Sequence, residues 1–170
     1  MPHLIIEIKA KCNDSQKVRE ILKSKNADFK GVDHQVDTYF KVNKGRLKLR
    51  EGNIENSLIY YEREDKEGPK QSNVILFKSD SDSSLKEILI KSLGELVVID
   101  KKREIYFIDN IKFHIDSVKG LGSFVEIEAI DTGGISKDKL LKQSNEYLKL
   151  LSINTEDLLS NSYSDMLLDL

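Results

Sequence analysis

The sequence predicts an α+β fold built on one largely antiparallel β-sheet of eight strands. Three observations support this prediction: eight runs have strand-like composition, most connections between them are short turn signals, and amphipathic helices stand between and after the strands. Short connections of this kind join antiparallel neighbours. Because 170 residues suit one domain with a proper core, and no linker or internal repeat interrupts them, we expect a single domain over residues 1–170.

The first half of the chain is predicted to form a strand, a helix and four further strands. Residues 3–12 alternate apolar and charged side chains, as a strand with two different faces requires. Residues 13–25 carry apolar side chains at helical spacing, and Asp14 or Ser15 can cap this helix. The next four strands, separated by turn or loop signals that include Gly45, Gly52-Asn53 and Gly68-Pro69, are residues 34–42, 45–51, 57–64 and 73–79.

The second half of the chain continues with a helix at residues 82–94, which has a polar start and Gly94 where a C-cap is expected. Three strand-like runs follow, joined by Asp109-Asn110 and by the short KGLGS segment: residues 95–109, 110–118 and 124–130. Two helices are predicted to end the chain, at residues 136–153 and 155–170.

Charged side chains share one face of several predicted strands. They are Glu7, Lys9 and Lys11 on the first strand; Arg46, Lys48 and Arg50 on the third; Lys112, His114 and Asp116 on the seventh; and Glu126 and Glu128 on the eighth. Antiparallel sheets commonly expose one face to water, so a solvated outer face accounts for this alternation. The third strand nevertheless carries three cations and the eighth two carboxylates, which is unusual for a solvated face. Eight strands are also enough to close a barrel whose charged face points inward.

A barrel with its charged face inward needs a wet interior or paired charges, with helices covering its apolar outside. Cations facing carboxylates across a water-filled lumen form a site for a ligand with many negative charges and a divalent metal. Arg and Lys bind phosphate oxygens, and carboxylates suit Mg²⁺ or Mn²⁺. On this second interpretation the sequence predicts a polyphosphate site.

The composition limits the classes of partner. A formal net charge of -2 provides no basic field, so we expect neither nucleic acid nor an acidic membrane as a partner. Cys12 is the one cysteine, which fits a reducing compartment. The N-terminal residues have no signal-peptide pattern, and no apolar run reaches the roughly 20 residues of a membrane span. We therefore expect a cytoplasmic protein.

Several motifs together resemble those of the CYTH superfamily, the triphosphate tunnel enzymes that include class IV adenylyl cyclases and thiamine triphosphatases. The resemblance runs from the first strand through HQVDTYF, RLKLRE, KKRE, FHIDSV and GLGSFVEIEA to SYSDMLL near the end. It implies a closed, eight-stranded antiparallel tunnel with a charged interior. In the family's signature Glu-x-Glu-x-Lys, Glu7 and Lys11 match the outer positions, whereas Lys9 stands where the second glutamate is usual.

The resemblance also implies roles for individual residues. The implied metal ligands for Mg²⁺ or Mn²⁺ are Glu7, Asp116, Glu126 and Glu128. The implied phosphate contacts are Lys11, Arg46, Lys48, Arg50, Arg63, Lys101 and Arg103, and Lys9 is expected to join Lys11 in binding phosphate. The residues expected to act in catalysis are Glu7, Lys11 and Asp116.

Three functions fit these residues. The resemblance implies a class IV adenylyl cyclase-like activity, in which ATP gives cyclic AMP and pyrophosphate. A triphosphatase acting on thiamine triphosphate or inorganic tripolyphosphate is the alternative chemistry. A third possibility is a protein that binds triphosphates without converting them, because Lys9 would repel a metal ion. Since class IV cyclases are often dimeric, the resemblance also suggests a homodimer.

Overall fold

The computed structural model describes residues 3–170, so residues 1 and 2 of the expected domain lie outside it. Its strands are β1 (His3–Lys11), β2 (Asp28–Phe40), β3 (Arg46–Glu51), β4 (Asn56–Arg63), β5 (Lys70–Lys78), β6 (Glu95–Ile108), β7 (Ile111–Val118) and β8 (Gly122–Ile130). Its α-helices are α1 (Ser15–Ser24), α2 (Leu85–Leu93), α3 (Lys137–Leu150) and α4 (Tyr163–Leu168).

The strands close into one barrel, in the order β1-β5-β4-β3-β2-β6-β7-β8 and back to β1. Every neighbouring pair is antiparallel, from Ile6↔Gln71 on one side of β1 to Ile6↔Ala129 on the other. A closed barrel leaves no free sheet edge along its paired strands. The predicted α+β class and closed eight-stranded antiparallel barrel are confirmed.

The outside of the barrel carries the apolar core that holds the helices. Ile6, Ile8 and Ala10 point outward from β1 and are almost fully buried, together with Val18 and Leu22 of α1. These two α1 residues are four apart and so share one helix face. The side chain of Asp14 accepts a hydrogen bond from the Lys17 backbone N–H at 3.1 Å, which caps the helix start. Each fully buried aliphatic side chain here contributes roughly 1.5–3 kcal/mol to folding.

Strand β2 begins at Asp28, six residues before the predicted start at residue 34. It pairs with β6 from Asp28↔Phe107 onward, with a register shift between Phe29 and Gly31. Gly31 has φ +120°, a conformation that strongly favours glycine, so the bulge breaks the alternation by which a strand is recognised in the sequence.

The predicted helix over residues 155–170 is wrong. Only a 3₁₀ turn (Thr155–Asp157) and α4 are helical, because the chain between them runs extended along β1. Ala10 pairs with Leu158, and the Leu159 N–H donates to the Lys9 carbonyl at 2.9 Å. Strand β5 pairs with β1 only as far as Glu7, so this segment satisfies backbone groups of β1 that lack a strand partner there.

Lys70 holds this C-terminal segment in place. Its side chain is buried, and its ammonium group donates to the carbonyls of Leu159 at 2.9 Å and Ser160 at 3.2 Å. Helix α4 then begins at Tyr163, after its N-cap Ser162, which forms a capping box with Asp165. Tyr163 then packs against Phe124 of β8, so the segment covers one end of the barrel. Within residues 3–170, no helix is long and apolar enough to cross a membrane.

We expect Lys70 to make stability depend on pH between about 8 and 10. Burial, with repulsion from Arg63, lowers its pKa to about 8, whereas an unfolded lysine has a pKa of about 10.4. Between these two pKa values the unfolded chain binds more protons than the folded chain, so the stability of the folded state rises with pH. Below pH 8 folding must bury a charged ammonium group, and this cost disappears as the pH rises toward 10. In Lys70→Met this pH dependence is absent, so from pH 7 to 10 the free energy of unfolding of wild type should rise relative to that of the variant.

Denaturant unfolding across this pH range measures the difference. Lys66→Met is the matched control, because the Lys66 side chain is 53% exposed, and its profile should stay parallel to that of wild type. Parallel profiles for wild type and Lys70→Met would contradict the assignment.

Candidate triphosphate site

The lumen of the barrel contains a cavity of about 680 Å³. Its lining residues Ser162 and Tyr163 are buried, whereas Leu76, Lys78 and Asp80 are exposed, so the cavity opens at the end away from α4. Its basic lining residues are Lys9, Lys48, Arg50, Arg63, Lys78, Lys101, Arg103 and Lys112, and its acidic lining residues are Glu7, Glu55, Asp80, Glu126 and Glu128. The alternating strands therefore turn their charged face inward, as the barrel interpretation predicts, and the solvated outer face is excluded for these residues. The excess of cations favours a ligand with several negative charges.

Asp37 binds three cations at the inner part of this lumen. Both of its oxygens accept from Arg50, at 2.9 Å each, and Oδ2 also accepts from Lys101 at 2.9 Å. Lys48 lies 3.2 Å from the same oxygen. Burial raises the pKa of Asp37, but the combined attraction of the three cations outweighs it and holds the pKa well below its usual range. The carboxylate thus keeps three phosphate-binding candidates close together.

A second network joins Asp116, Arg103 and Glu126. Arg103 donates to both oxygens of Asp116, at 2.8 and 2.7 Å, and to Glu126 at 3.0 Å. The phenol of Tyr163 donates to Asp116 Oδ2 at 2.7 Å, so α4 contributes a side chain to the lumen. Asp116 therefore orients Arg103 and Tyr163, and its predicted role as a metal ligand stays a prediction.

His114 forms a cluster with Glu126 and Glu128, and Glu7 lies near these carboxylates. His114, Glu126 and Glu128 each bring a ligand atom to within 4.8 Å of the others. Burial raises the pKa of Glu7, as do its neighbours Glu128 and Glu126, even though Arg63 lies 3.3 Å away. A divalent cation would relieve the repulsion among these carboxylates.

The surroundings of His114 indicate whether this cluster suits a metal ion. Its Nδ1 lies 2.9 Å from Glu126 Oε2, and its Nε2 is buried with no hydrogen-bond partner among residues 3–170. Burial lowers the pKa of His114, with Arg103 adding to the shift, and this favours the neutral imidazole that binds metals. Two carboxylates and an imidazole fit Mn²⁺ or, less closely, Mg²⁺.

Lys9 lies inside this cluster. Its ammonium group is 3.1 Å from Glu126 Oε1 and 3.7 Å from the centre of the Tyr163 ring, so it occupies one side of Glu126 with a fixed positive charge. Lys11 lies two residues further along β1 than Lys9. Its side chain is exposed and does not line the cavity.

The other predicted phosphate contacts also divide by position. Arg63 points inward toward Glu7, a direction that the sequence alone does not give because the neighbouring Glu62 is also charged. Arg46 instead contacts the C-terminal segment, donating to Ser162 at 2.6 Å and to Asp165 at 2.9 Å. The roles of Lys11, Arg46 and Arg63 in binding phosphate stay predictions.

Several lumen residues had no site role from the sequence: Asp37, Glu55, Lys112, His114 and Tyr163. Asp37, Lys112 and His114 lie on alternating charged faces, so the same alternation could have found them. Glu55 precedes β4, yet it forms a 2.5 Å ion pair with Lys112 across the open end. A contact between residues 57 positions apart leaves no local signal.

A closed antiparallel barrel with an ionic lumen defines this chain as a tunnel-type protein. The model of the CYTH domain family matches residues 3–163, and the chain belongs to this family. A Methanocaldococcus jannaschii protein provisionally named as an adenylate cyclase is 32% identical over 176 residues, covering 95% of this chain and 97% of that protein.

Two solved structures support the fold. A Pyrococcus horikoshii protein has a TM-score of 0.79 and 23% identity, covering 95% of this chain and 98% of its own. A Vibrio parahaemolyticus protein, again provisionally named as an adenylate cyclase, has a TM-score of 0.77 and 13% identity, with 96% and 97% covered.

We expect Lys9→Glu to raise the affinity for Mn²⁺ by at least about tenfold. The substitution removes a positive charge beside Glu126 and adds a carboxylate, and at an effective dielectric near 20 one such charge contact is worth several kcal/mol. Calorimetric titration with Mn²⁺ measures the effect. Lys11→Glu makes the same charge change at an exposed position outside the cavity and should leave the affinity unchanged. Equal Mn²⁺ affinities for wild type and Lys9→Glu would refute the repulsive role of Lys9.

We expect Asp37→Asn to lower the free energy of unfolding by about 3–5 kcal/mol, because it leaves buried cations without their partner. Inorganic tripolyphosphate should restore part of this loss if it can replace the carboxylate. Thermal and denaturant unfolding with and without the anion give both values. Asp28→Asn, at a surface pair with Lys30, is the control and should change little. A stable Asp37→Asn would show that Asp37 does not balance these cations.

Proposed function

We propose that the tunnel binds ATP through its triphosphate group, together with Mg²⁺ or Mn²⁺, and converts ATP to cyclic AMP and pyrophosphate. The observation that carries this proposal is the convergence of Lys48, Arg50, Lys101 and Arg103 on one enclosed cavity. Asp37 and Asp116 hold these cations together, and the phosphate oxygens of a triphosphate would share them with the two carboxylates. The family and the provisional name of the Methanocaldococcus relative support the same class of reaction.

The chain's own residues would hold and orient the phosphates. Arg50 and Arg103 each bind a carboxylate through two nitrogens, which is also how guanidinium binds phosphate. Lys48 lies at the edge of the Asp37 network, with 13% of its side chain exposed, so it can reach a ligand without leaving Asp37 unpaired. These cations stabilise negative charge that develops on the leaving pyrophosphate as the ribose 3′-hydroxyl attacks the α-phosphorus.

A divalent cation would be held by Glu7, Glu126, Glu128 and His114, where it would act as a Lewis acid and neutralise phosphate charge. Asp116 fixes Arg103 and is a positioning residue in this scheme. Lys101 is held by Asp37 at the inner end and extends the basic surface along the phosphate chain.

One observation favours a second function, binding of a triphosphate without turnover. The ammonium of Lys9 already occupies one oxygen of Glu126 at 3.1 Å, so it competes with a metal at that carboxylate. The basic groups would still bind phosphate in this case, and the protein would act as a receptor.

The test is incubation of the full chain with ATP, thiamine triphosphate or tripolyphosphate, with Mg²⁺ or Mn²⁺, followed by separation of the products. We expect cyclic AMP and pyrophosphate from ATP, and no product when the metal is chelated. Orthophosphate release would favour the triphosphatase, and binding without product would favour the receptor. Absence of binding to any of the three anions would overturn the proposed site.

A paired comparison localises the activity or binding to the lumen. Lys48→Ala removes a cavity-lining ammonium, whereas Lys102→Ala removes an exposed one on the outer face of β6. A charge-assisted contact contributes about 1.5–3 kcal/mol, so we expect Lys48→Ala to weaken triphosphate binding about tenfold to a hundredfold. Equal effects of the two substitutions would place the binding outside the lumen.

A further inference from the structure

Strands β4 and β5 carry apolar side chains on both faces. Residues 58–61 are Leu-Ile-Tyr-Tyr and residues 74–77 are Val-Ile-Leu-Phe, without the alternation of apolar and charged residues seen in β1. Alternate members of these runs line the cavity, namely Ile59, Tyr61, Val74 and Leu76. The other members therefore point to the outside of the barrel. A continuous apolar run of this kind is typical of a strand that is covered on both faces.

The outward side chains form one continuous apolar surface on the outside of the barrel. In the sheet register Ile75 lies beside Tyr60, and Tyr60 lies beside Leu47 of β3. Phe77 lies beside Leu58 in the next row. We name these five residues the outer patch. Phe77 is 64% exposed and Ile75 is 46% exposed, and contiguous exposed apolar surface marks a site of interaction.

The helices cover other parts of the barrel. Helix α3 packs on β1 and β8, α1 contributes to the same core, and α2 lies against β2. Within residues 3–170, no helix makes more than a marginal contact with β4 or β5. Ile6 and Ile8, which point outward from β1, are almost fully buried by comparison. The outer patch thus has the composition of a covered surface, and the described part of its own chain does not cover it.

The charges that border the outer patch are paired within the chain. Glu62 follows Tyr60 on the outward face of β4 and lies 3.4 Å from Lys44. Glu51, on the outward face of β3, lies 3.2 Å from Lys86. A contact between two copies about a two-fold axis doubles every charge on the surface, so a face with a net charge would repel its copy. The neutral border of this patch permits such a contact, and it offers no excess of cations to a nucleic acid or an acidic membrane.

We propose that the outer patch is the contact surface between two copies of this chain. Packed sheet faces lie about 10 Å apart, with the side chains of the two faces interdigitated. The exposed parts of the five side chains amount to roughly 300 Å², the size of functional patches on monomeric proteins. A stable dimer buries about 800 Å² on each copy, so the patch would supply the apolar core, and Gln71 and Asn73 of β5 would belong to the polar rim. The contact lies outside the barrel and does not depend on the proposed triphosphate site.

Sedimentation velocity of the full chain, from about 1 to about 100 µM, measures the association. We expect a dimer with a dissociation constant of about 10 µM or lower. Phe77→Glu should raise that constant at least about tenfold, because the dimer would bury a carboxylate from each copy without a partner. Ile75→Glu, on the same face of β5, should have the same effect.

Val32→Glu is the matched control, because Val32 is 50% exposed on β2 outside the outer patch, and it should leave the dissociation constant unchanged. Since all three substituted side chains are exposed, the far-ultraviolet circular dichroism of each variant should match that of wild type.

Three outcomes would overturn the proposal. The first is a wild-type chain that stays monomeric at about 100 µM. The second is a dimer that Phe77→Glu and Ile75→Glu weaken no more than Val32→Glu does, which would place the contact on another surface. Flotation with neutral phosphatidylcholine vesicles tests a different occupant. Vesicle binding by wild type that Phe77→Glu abolishes, without a dimer in solution, would assign the patch to a lipid surface.

Discussion

The structure depends on charge pairing inside a closed barrel. The strands turn their ionic faces inward, so Asp37, Asp116 and Glu126 each balance buried cations. Leaving one of these buried charges unpaired would cost several kcal/mol. The whole free energy of unfolding of a domain is only about 5–15 kcal/mol. The apolar faces are then free to form the outer core under α1 and α3. The same pairing that allows the fold also assembles the basic groups before any ligand arrives.

Preassembly links the fold to the proposed chemistry. An incoming phosphate can share the cations of Arg50 and Arg103 without a rearrangement of the strands, since their guanidinium groups are already fixed by carboxylates. Tyr163 ties the closed end to this network through Asp116. The inner part of the lumen is therefore a fixed ionic network.

Much of the fold could be predicted from the sequence because strand alternation is a local signal. The alternation of Glu7 and Lys9 with apolar residues separates the two faces of β1, although barrel closure decides which face points inward. It failed where tertiary contacts decide the conformation: residues 158–160 pair with β1 and are held by Lys70, although their composition suits a helix. The alternation is also imperfect along β6, because Ile99 and Ile105 share the inward face with Lys101 and Arg103. The contact between Tyr163 and Asp116 joins distant positions and leaves no local pattern.

The most direct test of this account is a crystal structure of the full chain with a non-hydrolysable ATP analogue and Mn²⁺, using the anomalous signal of the metal. The account predicts phosphate oxygens within hydrogen-bonding distance of Lys48, Arg50 and Arg103, and a manganese peak beside Glu126, Glu128 and His114. Phosphates bound on the outer surface, with a lumen that holds only water, would contradict it.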